Sequence, residues 1–156
     1  MNEPVEILLV EDSPNDVELT LRAFTRQHLA TRIQVARDGQ EALDFIFGQG
    51  AYIGRDLSQQ PKLILLDLKL PKVDGLDVLR EIKSNPLTQM IPVVVLTSSC
   101  VEHDVEESYQ RGANSYLIKP VSYDQFMVLV NTLGTYWLQF NQTVVTTPAD
   151  ELHLAK

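Results

Sequence analysis

The chain has 156 residues, 44% of them hydrophobic and 22% charged. That suits one domain with a substantial core and makes disorder a poor default. A formal net charge of -8 argues against nucleic acid as the main partner, because phosphate backbones are held by Lys and Arg clusters and none is visible. No apolar run reaches the roughly 18 residues of a membrane span, residues 1–12 do not read as a secretory signal, and the single Cys100 fits a reducing cytoplasm, the expected location.

Residues 5–10 (VEILLV) read as a first strand that runs into Glu11-Asp12. Ser13 is placed as an N-cap with Pro14 at the first helical position and Asp16 in the first turn, so a helix should follow with Val17, Leu21 and Phe24 on its inner face. Residues 33–36 form a second strand candidate. Asp38-Gly39 then leads into a helix that carries Ala42, Leu43, Ile46 and Phe47 inward and should stop near Gly48. The stretch GQGAYIGRDLSQQP, residues 48–61, is polar and aperiodic, and reads as a long surface loop anchored only by Tyr52 and Ile53.

The organising stretch is ILLDLKLPKVDG, residues 64–75. Leu63 to Leu66 form a continuous apolar run of the kind buried on both faces in a parallel sheet, and Asp67 falls where that strand should end. Ligands collect outside the carboxyl ends of such strands, so this carboxylate should face a crevice. Pro71 fixes the backbone, Asp74-Gly75 can turn it, and Leu76, Leu79 and Ile82 follow at helical spacing. Residues 91–96 (IPVVVL) give a fourth strand ending in Thr97-Ser98-Ser99. The next helix has only a thin apolar stripe, Val101, Val105 and Tyr109, and should be weakly held. Residues 115–118 form a fifth strand that runs into Lys119-Pro120. A last helix over 122–140 has an inner face of Phe126, Val130, Leu133 and Trp137. Leu129, Tyr136 and Phe140 widen its apolar arc beyond what a sheet requires, which suggests a partner surface. Residues 141–156 read as a flexible tail or dimer-contact segment, with a strand at 143–146 as one option. His28, His103 and His153 lack ligand spacing.

Five alternating β and α units imply a doubly wound parallel sheet, and the flavodoxin-like order 2-1-3-4-5 is adopted by analogy. That order brings Glu11, Asp12 and Asp67 together at one rim, with Thr97 and Lys119 at the ends of the fourth and fifth strands. Three close carboxylates repel unless a hard divalent cation with oxygen ligands holds them, helped by an ammonium. Mg²⁺ and Lys119 would balance their charge and leave a pocket suited to phosphate. A carboxylate there can attack phosphorus to give an aspartyl-phosphate while Thr97 donates a hydrogen bond.

Glu11-Asp12, DLKLP with Asp67, VVVLTSS with Thr97, and GANSYLIKP with Tyr116 and Lys119 together resemble the receiver domain of two-component response regulators, over about residues 5–138. More narrowly, the long loop, NPLTQMIPVVVLTSS and the extended last helix resemble the stand-alone regulators paired with cyanobacterial phytochromes. The resemblance implies that Asp67 accepts a phosphoryl group from a sensor histidine kinase. Glu11, Asp12, Asp67 and the backbone carbonyl of Lys69 would hold Mg²⁺. Thr97 would be the switch hydroxyl, Lys119 the phosphoryl-pairing cation, Tyr116 the aromatic rotor and Pro120 a cis-proline. Lys69 and Ser99, each two residues past a site residue, are expected to influence phosphoryl lifetime. A receiver domain over 1–140, an extension over 141–156 and no output domain are expected. The message would then leave by homodimerisation or by contact with a downstream protein, and the only catalysis would be the chain's own phosphorylation and dephosphorylation. A phosphatase of the aspartyl-nucleophile class would need an acid where Lys69 stands. A flavin site would place phosphate against Glu11 and Asp12. The main rival is a receiver-like binding module that is never phosphorylated.

Overall fold

The computed structural model describes residues 5–27 and 32–144. Its strands are β1 (Ile7–Val10), β2 (Ile33–Ala36), β3 (Leu63–Leu66), β4 (Val93–Thr97) and β5 (Ser115–Ile118). All pair in parallel, in the order β2-β1-β3-β4-β5. Every residue of β1, β3 and β4 is buried, as expected of central strands covered on both faces, whereas the edge strands β2 and β5 are largely half-buried.

The helices are α1 (Pro14–Gln27), α2 (Gly39–Phe47), α3 (Gly75–Ser84), α4 (Glu102–Gln110) and α5 (Tyr123–Gly134). Alternation along the strands divides the core in two. Leu8, Val10, Ile64, Leu66, Val93 and Val95 meet α2 and α3 through Ala42, Ile46, Val78 and Leu79. Ile7, Leu9, Leu63, Leu65 and Val94 meet α1 and α5 through Val17, Phe24, Phe126 and Val130. This is a single-domain flavodoxin-like sheet wrapped on both faces. Among the described residues no helix is long and apolar enough to cross a membrane.

Several local expectations change. β4 begins at Val93, because Pro92 has no N–H to donate to a ladder. In α2 the fully buried aromatic is Phe45, with Phe47 only half-buried. Ile53 is 80% exposed and anchors nothing. The loop is held instead by Arg55, whose guanidinium carbon lies 4.0 Å from the Phe45 ring centroid. Arg55 also donates to the carbonyls of Phe45 at 2.6 Å and Gln59 at 2.9 Å, and to the Gln60 side chain at 2.6 Å. Tyr52 does anchor, meeting Phe45 edge-on with centroids 5.2 Å apart. On α4 the apolar stripe faces largely outward: Val101 and Tyr109 are more than half exposed, and the one buried residue of the helix is Ser108.

The last helix does not run regularly to residue 140. It passes into a π-helical segment, Thr135–Phe140, closed by the Asn141 amide donating to the Tyr136 carbonyl at 2.6 Å. That wider turn leaves Tyr136 and Phe140 exposed, while Leu129 is half-buried. Thr143 and Val144 form no strand, and residues 145–156, which hold the rest of the candidate strand and His153, lie outside the described residues, as does His28.

Gly75 opens α3 hard against the strand end that carries Asp67. A Cβ there would stand 2.4 Å from the Asp67 carbonyl oxygen and 2.5 Å from the Leu68 Cα. Its role is close approach, and the positive φ of the preceding loop, 67°, falls on Lys72. Gly75→Ala should therefore destabilise the fold by about 1–3 kcal/mol through forced displacement of backbone, read as a lower urea midpoint at unchanged m-value.

Candidate functional site

The register of the sheet builds the site. Val10 pairs with Leu66, so Glu11 and Asp67 each stand one residue past the ends of adjacent strands. Leu66 pairs with Val95 and Thr97 with Ile118, which puts Thr97 and Lys119 at the same rim. Ser13 and Pro14 start α1 directly after Asp12, and the Ser13 hydroxyl accepts from the Asp16 amide at 3.3 Å. The Ser13 amide in turn donates to Glu11 at 3.3 Å.

Carboxylate oxygens of Glu11, Asp12 and Asp67 all lie within 4.8 Å of one another. Glu11 and Asp67 are buried and Asp12 is exposed. Lys119 projects among them. Its Nζ donates to Glu11, to Asp16 at 2.9 Å and to Asp67 Oδ2 at 3.0 Å. Asp16 is the residue that sequence reasoning missed: it registered only as a first-turn acid favourable to the helix. The available signal was position, because the first turn of a helix starting at a strand end lies beside that rim.

Electrostatics separate the two buried acids. Burial raises the Glu11 pKa to about 7, against the opposing pull of its hydrogen bond with Lys119, and the Asp67 charge adds to the rise. Burial also pushes Asp67 upward, but the Lys119 charge and hydrogen bond, with hydrogen bonds from Thr97 and Glu11, bring it below the usual carboxylate value. The first proton taken up by the pair goes to Glu11, and Asp67 stays anionic. Burial lowers the Lys119 pKa, yet its three acidic partners raise it overall. Four carboxylates against one ammonium leave an anionic pocket of oxygen donors, a chemistry that fits a hard divalent cation.

Around this centre, the Lys69 amide points at Asp67 Oδ1 from 3.4 Å, and the Lys69 side chain is exposed. Thr97 is 1% exposed. Its Oγ1 accepts from the Ser99 amide at 3.4 Å. The Ser99 hydroxyl donates to Asp104. Tyr116 is half-buried and donates to the Ser99 carbonyl at 2.8 Å. The expectation of a cis-proline at Pro120 is corrected: no cis peptide bond occurs among the described residues. The Lys119 amide extends the β5 ladder to the Thr97 carbonyl at 2.8 Å, and the chain enters Pro120 in the trans form that X-Pro bonds favour by about 0.5–1 kcal/mol. An open cleft of about 580 Å³ lies beside Lys119, lined by Asp16, Leu19, Ile118, Val121 and Phe126 among others.

Comparisons with known proteins agree with this geometry. The family model for the response regulator receiver domain matches residues 7–131. A probable methanogenesis regulatory protein, FilR2 of Methanothrix harundinacea, is 44% identical over 90% of this chain and 88% of its own length. Response regulator Rcp1 of Synechocystis is 43% identical over 95% of this chain and 96% of its own. The Mn(2+)-bound form of Rcp1 superposes with a TM-score of 0.84 at 40% identity, covering 90% of this chain and 99% of that one. The phosphorylated cyanobacterial phytochrome response regulator RcpA superposes equally well, with a TM-score of 0.84, at 37% identity and the same coverage. With its fold, its rim of acids and its matched length, the chain belongs to the response regulator receiver-domain family, as a homologue of stand-alone regulators.

Proposed function

We propose that Asp67 is the phosphoacceptor of this chain and that a sensor histidine kinase of the phytochrome class is the donor, by analogy with the cyanobacterial phytochrome response regulator RcpA. The observation that carries this reading is the anionic, buried Asp67 carboxylate with an ammonium 3.0 Å from one oxygen and a Thr97 hydrogen bond beside it. In the transfer, an Asp67 oxygen bonds to phosphorus, the phosphorus–nitrogen bond of the phosphohistidine breaks, and the imidazole leaves with that electron pair and takes a proton. Lys119 shifts from carboxylate to phosphoryl oxygen and Thr97 donates to another, which stabilises the transferred charge. The open cleft beside Lys119 gives the donor its approach.

Mg²⁺ is the proposed cation, held by Glu11, Asp12, Asp67 and the Lys69 backbone carbonyl, and it supplies positive charge at the phosphoryl oxygens when bound. The phosphoryl group brings a charge of about -2 and three acceptor oxygens. Thr97 moves toward it, Tyr116 turns inward, and the surface of α4, β5 and α5 changes. Exposed Val101, Tyr109 and Ile118 on that surface suit contact with a downstream protein. A homodimer through Tyr136, Phe140 and the half-buried Leu129 is the second route for the message. The chain's only catalysis in this reading is its own phosphorylation and dephosphorylation.

Acetyl phosphate with Mg²⁺ should label the protein on one residue, and Asp67→Asn should abolish the label in intact-mass analysis. A label retained on the Asn variant refutes the assignment to Asp67, and a parent that takes no label favours the non-phosphorylated binding module. Glu11 must be ionised to hold a cation, so Mg²⁺ affinity should climb from about pH 6 to about pH 8 and flatten above. A Glu11→Gln variant should bind more weakly and lose that slope in a calorimetric titration. For the dimer, Phe140→Asp should lower the sedimentation mass of the beryllofluoride-bound protein toward one chain.

A further inference from the structure

Asp16 completes the ring of acids around Lys119 without belonging to the group that can hold a cation. Its Oδ2 accepts from Lys119 Nζ at 2.9 Å, while Glu11 and Asp67 accept from the same ammonium. An ammonium has three hydrogens to give, so these three acids commit it fully. The carboxylate oxygens that converge within 4.8 Å of one another are those of Glu11, Asp12 and Asp67, and Asp16 stands outside that set. It arrives on the first turn of α1 with its backbone fixed on both sides: its amide donates to Ser13 Oγ at 3.3 Å, and its carbonyl accepts from the Thr20 hydroxyl at 2.7 Å. The Asp16 side chain is 28% exposed, against 5% for Glu11 and 11% for Asp67, and it lines the open cleft beside Lys119.

The charges of this group do not cancel. Glu11, Asp12, Asp16 and Asp67, when ionised, carry four negative charges against the one positive charge of Lys119. A divalent cation offsets two of the three left over, so one still opposes any anion that enters. Without the Asp16 charge, the remaining acids, the cation and the ammonium would be neutral together. Asp16 Oδ2 and Asp67 Oδ2 lie 2.9 and 3.0 Å from the same nitrogen, so they are separated by no more than the sum of those lengths. That is inside the screening length of about 8 Å at physiological salt. We propose that Asp16 is a positioning residue that holds Lys119 from the α1 side and leaves the pocket one negative charge in excess, which tightens cation binding and weakens retention of the phosphoryl group on Asp67. The inference rests on the function proposed for Asp67 and deepens it by naming what limits the phosphorylated state. When Lys119 passes from the Asp67 carboxylate to a phosphoryl oxygen, Asp16 keeps its own bond to the ammonium, so part of that positive charge is already answered. The pocket then takes a cation readily and holds the phosphoryl group loosely, which draws the equilibrium back toward the unphosphorylated chain.

Two titrations of the full chain form the test: Mg²⁺ alone by calorimetry, and beryllofluoride at saturating Mg²⁺ by amide NMR signals. Asp16→Asn removes the charge and keeps an acceptor oxygen for Lys119. It should weaken Mg²⁺ binding about three- to tenfold and tighten beryllofluoride binding by about the same factor, the scale of one charge at this separation in a partly screened site. Asp16→Glu, which keeps the charge, should stay near the parent in both titrations. A purely structural role would not split the two affinities, since a loosened α1 or a displaced Lys119 would weaken cation and anion together. Asp16→Ser, also uncharged, carries the same test if the Asn variant does not fold. A parent that binds beryllofluoride, with any pattern in the uncharged variant other than these opposed shifts, overturns the role of Asp16 alone. A parent that does not bind beryllofluoride with Mg²⁺ overturns the function assigned to Asp67, and this inference with it.

Discussion

One ammonium serving several carboxylates is the constraint on which this structure depends. Lys119 stands against Glu11, Asp16 and Asp67, which reach the site from three different starts, the end of β1, the first turn of α1 and the end of β3, and Asp12 follows Glu11 at the rim. Like charges this close, in a setting less polar than water, repel strongly enough to shift protons. The protein resolves the repulsion unevenly. Burial, with the Asp67 charge adding to it, raises the Glu11 pKa, and Lys119 keeps Asp67 charged. An ionised Asp67 beside a neighbour that takes up the first proton is consistent with the phosphoacceptor role proposed for it.

The rest of the fold exists to hold that rim in register. A slip of one residue would exchange the two faces of a central strand and misfit both packed cores, which holds the strand ends relative to one another. Gly75 brings α3 down onto the Asp67 backbone, and the α1 start draws Asp16 toward Lys119. Against this rigid side, α4 is the exception. Its apolar stripe is mostly exposed, and apart from the Arg111 pairs with Asp77 and Glu107 near its end, it is secured by the short bond from Ser99. The helix that follows Thr97 is therefore thinly packed.

Much of this was legible in the residues alone because it rests on pattern. Apolar runs located the three central strands, Ser13-Pro14 and Gly48 marked helix ends, and alternation of β and α gave the sheet from which the convergence of Glu11, Asp12 and Asp67 follows. What escaped reading depends on side-chain direction. Asp16 and Asp104 sit in first helical turns, where an acid is ordinary, and only the path of the neighbouring chain shows what they hold. Val101 and Tyr109 have helical spacing, but spacing does not say which way a thin stripe faces. Ile53 looked like an anchor for being apolar, whereas the anchoring falls to Arg55, a charged side chain whose flat face and five donors suit an aromatic ring and carbonyls together. The bond before Pro120 was expected from a family pattern and not from anything local, and it is trans.

That arginine has a wider effect on the character of the molecule. A segment of such polar composition, free of long secondary structure, would ordinarily sample many shapes and lose that freedom whenever something docked on it. With Arg55 stacked on Phe45 and bonded to both sides of the loop, the stretch between α2 and β3 is braced against α2. Its outermost side chain, Ile53, is carried on a platform already shaped during folding, so any protein meeting this corner would find it preorganised and would lose little conformational entropy there.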